Sequence, residues 1–221
     1  MKIITLILSL FLFLNNYGQQ KSKVNQIELI SDIQIWDKDN DKMKLSFWIP
    51  SSYWRISLEG NSDISEEIIE KIESTFDDYM VLCLADIEVN GDNLTYTSKS
   101  DLEKTATIID KNKKSYTPLS DEVIPHETNE ILKSIKPMFA QMFGQLGKGM
   151  HFFLFKVKYE NNENIINEFK EGEFIVKHSG KEFKWTLPLP ALLPNKYCPI
   201  DNEEMKGNWV FCPFHGEKLN N

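Results

Sequence analysis

The dipeptide Asn90-Gly91 stands between two segments of strand character, the apolar run Tyr79 to Val89 and the shorter Leu94 to Thr97. A tight turn of this kind reverses the chain and makes its flanks antiparallel neighbours. It therefore excludes an all-parallel sheet with helical crossovers, where successive strands never meet through two residues. Other segments repeat the theme. Ile27, Leu29, Ile33 and Ile35 alternate, the polar run Asp37 to Asp41 follows, and Met43, Leu45, Phe47 and Ile49 alternate again. Period two on both sides of a polar turn predicts a hairpin over residues 26–49. Pro50 stops its second strand, and Tyr53 to Leu58 reads as a short extended piece.

Further strands are expected at Thr105 to Ile109 and Met150 to Lys158, with a last hairpin, Phe174 to Val176 and Phe183 to Leu187, around Ser179-Gly180. Two helical patterns interrupt them. Ile64, Ile68, Ile69, Ile72 and Phe76 recur on one face, and Asp63 with Glu66 makes a capping box. Residues 129–146 form the second, with Pro137 expected to kink or split it. The acidic stretch 159–172 carries Ile165, Ile166 and Phe169 as anchors. The expected fold class is α+β: an antiparallel, sheet-rich body, sandwich or open sheet, with two helices, and a small C-terminal hairpin.

The chain begins with Lys2, an apolar stretch from Ile3 to Leu14, and the polar break Asn15 to Gly18. That order reads as a secretory signal over 1–18, too short to span a bilayer. It implies an extracytoplasmic location, periplasmic or secreted. Residues 19–186 then form the body, 187–195 a proline-rich connector, and 196–219 a tail. With Lys2 removed, 24 basic side chains face 33 acidic ones, a net of −9, and Arg55 is the lone arginine. Nucleic-acid binding and attachment to an anionic membrane both need clustered positive charge, which this balance opposes. Beyond the signal no apolar run is long enough to cross a membrane.

Several candidate features read as structural. Asp37, Asp39 and Asp41 open like a calcium loop, but Lys42 and Trp48 stand where glycine and the closing glutamate are needed, so a solvated turn is expected. His126, His151 and His178 are scattered, without a nucleophile motif. Trp48, Tyr53 and Trp54 near Arg55 offer an aromatic binding ledge, yet aromatics in strands belong more often to the core. Cys83, inside an apolar run, is expected to be an inert thiol. Asn93-Leu-Thr95 is a glycosylation sequon.

The tail carries chemistry. Cys198-Pro-Ile-Asp201 and Cys212-Pro-Phe-His215 are two copies of one spacing, each placing two donors three residues apart on a tight turn. Thiolate, imidazole and carboxylate all bind zinc, and four of them close a tetrahedron. The segment resembles a zinc ribbon, whose knuckles read Cys-Pro-x-Cys-Gly. The second copy fits through Cys212, Pro213, His215 and Gly216; the first departs, with Asp201 for cysteine and Asn202 for glycine. The resemblance implies a structural zinc on Cys198, Asp201, Cys212 and His215. A Cys198–Cys212 disulfide and a metal-free knuckle are the alternatives in an oxidising compartment. The body is similar in outline to uncharacterised exported bacterial proteins. The expected role is a non-enzymatic module that binds another protein or an envelope component; a hydrolase of another family is the alternative.

Overall fold

The structure, a computed structural model, describes residues 24–59, 64–156, 158 and 164–220. The expected signal, and Asp63 of the expected capping box, lie outside the described residues. Eleven strands form three open antiparallel sheets among the described residues. The first holds β1 (Gln34–Asp39), β2 (Lys42–Ile49), β3 (Met80–Asn90), β4 (Asn93–Tyr96) and β7 (His151–Phe155). The second runs in the order β6 (Ser115–Tyr116), β5 (Thr107–Ile109), β8 (Gly172–His178), β9 (Lys181–Leu187). The third is the small pair β10 (Lys196–Tyr197) and β11 (Glu204–Met205). This is the α+β, sheet-rich architecture that the hairpin signals imply.

The two larger sheets share one core. Trp48 of β2 meets the Phe174 ring of β8 edge-on at 4.9 Å, and Phe174 stacks on Trp185 at 5.0 Å. Lys44 of β2 donates to the Ser179 carbonyl at the β8–β9 turn, 2.8 Å away. Turn chemistry matches the backbone: Gly91 and Gly180 both hold positive φ, 62° and 75°, which a Cβ would strain.

Helices account for most departures from expectation. Residues 26–33 are not strand but helix α1 (Gln26–Ile33). Leu29 and Ile33 are four apart, so they satisfy both period two and the helical repeat; Ile27, which only the strand would bury, is 80 % exposed. The Asn25 side chain decides the matter by accepting the Ile27 and Glu28 N–H groups. Tyr53 to Leu58 is likewise helical, within α2 (Ser51–Leu58). Its N-terminus rests on Glu168, whose carboxylate accepts Ser51 Oγ–H and Ser52 N–H, each at 3.2 Å. That partner is over a hundred residues away in sequence, invisible to local periodicity.

Helix α3 (Glu66–Phe76) buries Ile69 and Phe76 but leaves Ile68 half exposed, off the expected face. A short helix, α4 (Lys99–Thr105), precedes β5 and was not signalled by any apolar period; Ser98 caps it by accepting Asp101 N–H. Helix α5 (His126–Phe143) runs through Pro137 without splitting, then tightens into a 3-10 turn at Gly144–Gly149. Of the expected anchors, Ile165 and Ile166 are buried, whereas Phe169 is 56 % exposed.

Asp32 at the end of α1 ties the connector to the body. Its carbonyl accepts Trp185 Nε1–H at 3.1 Å, and its carboxylate accepts Ala191 N–H at 2.7 Å. Leu189 is buried and donates its N–H to the Glu168 carbonyl at 2.9 Å. The connector therefore lies against the body, and it presents Leu193 and Pro194 to Gly207 of the tail, where no side chain would fit.

His178 ends β8 inside the inter-sheet core, 1 % exposed, its ring stacked on Phe183 at 4.7 Å. Neither ring nitrogen completes a hydrogen bond. Burial pushes its pKa down to about 4; nearby Asp86 and the Leu45 backbone favour the charged ring, Lys44 opposes it, and burial prevails. The unfolded chain takes up this proton near pH 6.5, the folded chain only near 4. Stability is thus complete above pH 6.5 and is lost as pH falls through that window, by about 3 kcal/mol. Chemical denaturation from pH 7 to 4 should show this loss in the wild type, and His178→Phe should remove it; equal slopes for both proteins would refute the assignment.

Candidate metal centre

The tail folds from two matching turns. In the first, Asn202 N–H donates to the Cys198 carbonyl at 2.8 Å, and Cys198 N–H to the Glu203 carbonyl at 3.0 Å. In the second, Gly216 N–H donates to the Cys212 carbonyl at 2.8 Å, and Cys212 N–H to the Glu217 carbonyl at 2.7 Å. Each turn closes in the left-handed region, Asn202 at φ 60° and Gly216 at φ 69°. Asparagine is the residue that most readily replaces glycine there. The departure of residue 202 from the ribbon pattern is therefore compatible with the turn.

Inside each turn, backbone N–H groups point at the sulfur. Those of Ile200 and Asp201 face Cys198 Sγ, and those of Phe214 and His215 face Cys212 Sγ. Such donors stabilise a thiolate. Burial raises the Cys198 thiol above its ordinary value, its own turn's N–H groups opposing. For Cys212 burial acts upward too, but the His215 and Phe214 N–H groups and the Cys198 thiol outweigh it and set it below its ordinary value.

The two turns converge. His215 Nδ1 lies 3.3 Å from Cys198 Sγ and 3.5 Å from Cys212 Sγ, and the three donor atoms all fall within 4.8 Å of one another. This trio could hold a metal ion. The cysteines are free thiols, close together but not bonded. Asp201 stands at the edge of the trio: its Oδ2 is 3.7 Å from His215 Nδ1, and its Oδ1 accepts Glu203 N–H at 3.0 Å. That N–H first, and the Cys198 thiol next, hold its carboxyl below the usual range. The sulfurs are buried, while His215 and Asp201 remain about a third exposed, at 36 % and 39 % of their side-chain area. Cys198, Cys212, Met205 and Leu219, with Trp209 against them, are the whole core of the tail.

The other sequence candidates do not assemble into a site. Trp48, Tyr53 and Trp54 are buried in the main core, so no ledge is presented. Arg55 is taken up by Glu73 and Glu66, each at 2.5 Å. His126 is exposed, 3.8 Å from Glu130, and His151 is half-buried at the head of β7, where burial lowers its pKa. Cys83 is fully buried, its thiol pushed far up by desolvation, the expected inert state. A cavity of about 30 Å³ beside Trp48, Asp77 and Glu168 contains none of the histidines. No helix among the described residues is long and apolar enough to cross a membrane. Compared with protein families, curated proteins and solved structures, the chain matches none.

Substitutions should rank by position. Cys212→Ser, removing a donor from the trio, should abolish stoichiometric metal binding. Asp201→Asn, which removes the charge of the fourth donor at its edge, should weaken it less, roughly ten- to a hundred-fold. Competition against a chromophoric chelator measures both, and an unchanged affinity in Asp201→Asn would show that its carboxylate takes no part.

Proposed function

We propose that the protein is an exported, non-enzymatic binding module that acts on another protein or an envelope component, its tail held by a structural zinc on Cys198, Asp201, Cys212 and His215. The convergence of the two turns carries the metal reading. A tetrahedral zinc with bonds of about 2.3 Å to sulfur and 2.0 Å to nitrogen sets sulfur–nitrogen separations of roughly 3.5 Å. Those separations are 3.3 and 3.5 Å here. Soft thiolates beside an imidazole suit zinc better than the oxygen-seeking calcium or magnesium.

The role of the ion follows from the ligand count. Four protein donors leave no position for water, so the metal braces the chain rather than activating a nucleophile. A core of four buried residues is far below what holds a segment this size unaided. Ion binding supplies the difference, because folding brings the ligands together. Export rests on the charged and apolar order of residues 2–14. A binding role rests on the apolar side chains that the tail leaves in solvent, among them Ile200 and Phe214.

Metal analysis of protein recovered from its own host, purified without chelator, tests the reading together with thiol titration and intact mass. One zinc per chain, no blocked thiols and a mass lacking residues 1–18 are expected. Absence of metal with Cys198 and Cys212 oxidised to a disulfide would sink the zinc site; an uncleaved chain in the cytoplasm would sink export.

A further inference from the structure

The large apolar side chains left in solvent are unevenly placed. Nine are exposed among the described residues, and five of them, Tyr197, Ile200, Val210, Phe211 and Phe214, belong to the tail. Strand register sorts these. Tyr197 pairs with Asn220 and Phe211 with Lys218, so both flank one extended segment at positions two apart. Their neighbours Cys198, Cys212 and Leu219 are buried, so Tyr197 and Phe211 stand together on the opposite, outer face. Ile200 and Phe214 occupy the tips of the two turns, both exposed, while the sulfurs of those turns converge with His215. These four present on the order of 500 Å² of apolar surface, the upper range for a lone soluble protein.

We propose that this outer face of the tail is the contact between two copies of the chain. Three observations favour a second copy. Two such faces bury about 1,000 Å², the lower limit of a specific interface, so the dimer is a weak one with micromolar affinity. The tail, residues 196–219, holds three lysines against four acids, a net of −1, while the rest of the exported chain, without Lys2, carries −8. Copies meeting through their tails therefore avoid most of the repulsion that body-to-body contact would incur. The same face carries opposite charges beside the aromatics, Glu204 opposite Tyr197 and Lys218 opposite Phe211. A two-fold axis passing between Glu204 and Lys218, across the line that joins them, sets each charge of one copy against its counter-charge on the other.

The proposal rests on the metal-held knuckle, because the face exists only while the two turns stay closed. Analytical ultracentrifugation of the intact protein, purified without chelator, from low to high micromolar concentration, with metal content measured on each sample, tests it. The mass should rise from monomer towards dimer. Phe211→Ser and Tyr197→Ser should each weaken association at least tenfold with metal per chain unchanged, and Val123→Ser, exposed on the body, should not. A metal-loaded chain that stays monomeric throughout overturns the dimer and leaves the metal reading intact; a metal-free chain overturns the metal reading instead, and this proposal with it. Should a variant lose its metal, hydrogen exchange of the wild type decides. Concentration-dependent protection around residues 197–201 and 211–215 supports the contact, and protection elsewhere overturns it. A monomer that partitions onto neutral phosphatidylcholine vesicles likewise overturns it, in favour of a lipid surface.

Discussion

Strand β3 is the constraint on which the body depends. Along one side it pairs with β2 from Val81 to Glu88. Its other side is divided: Met80 to Leu84 take β7, and Ile87 to Asn90 take β4. The division is visible in its burial. Met80 to Ala85 are all buried, as a strand covered on both faces requires, whereas beyond the buried Ile87 the residues Glu88 to Asn90 fall away towards solvent. One strand thus brings the N-terminal hairpin, the strand after α5 and its own return hairpin into register. Loss of its pairing would detach three elements together.

Most strands of the two larger sheets were legible because their signals are local, although β1 takes in Asp37 and Asp39, expected as turn. Alternation over six or seven residues fixes which face is buried, and Asn90-Gly91 and Ser179-Gly180 supply the positive φ that tight hairpins need. The short helices were not legible, for a matching reason. Leu29 and Ile33 serve either repeat, so the decision passes to the Asn25 cap. Helix α2 depends on Glu168, and the connector depends on Asp32, each a hydrogen bond across more than a hundred residues. Eight-residue helices have little intrinsic stability, and tertiary partners decide their existence. A periodicity argument has no access to such partners.

The metal centre reverses this balance. Its parts were legible because each sulfur, its N–H donors and its turn-closing residue lie within five positions of one another. Convergence of the two turns is the long-range step, and it comes from thin pairing: β10 with β11, Tyr197 with Asn220, Phe211 with Lys218. The repeated spacing hinted at this, since two identical turns can face one ion only if the chain between them doubles back. The graded position of Asp201 was not legible. Its carboxylate divides its contacts among Glu203 N–H, the Cys198 thiol and the imidazole, a competition among neighbours that spacing does not describe.

Body and tail are held by different physics, and this governs how each responds to its surroundings. The body rests on a large apolar core whose weak point is one buried imidazole, so acid is its natural stress. The tail has almost no core; what it gathers instead is two thiols and an imidazole that could hold a metal ion. The same convergence that brings sulfur and nitrogen to one point pushes Ile200 and Phe214 outward, because a turn that aims its first and last residues inward must present its middle to solvent. A donor cluster that could hold a metal ion and an apolar surface are therefore two faces of one backbone geometry. Opening the turns would disperse both at once, while the body, fixed by β3, would keep its fold.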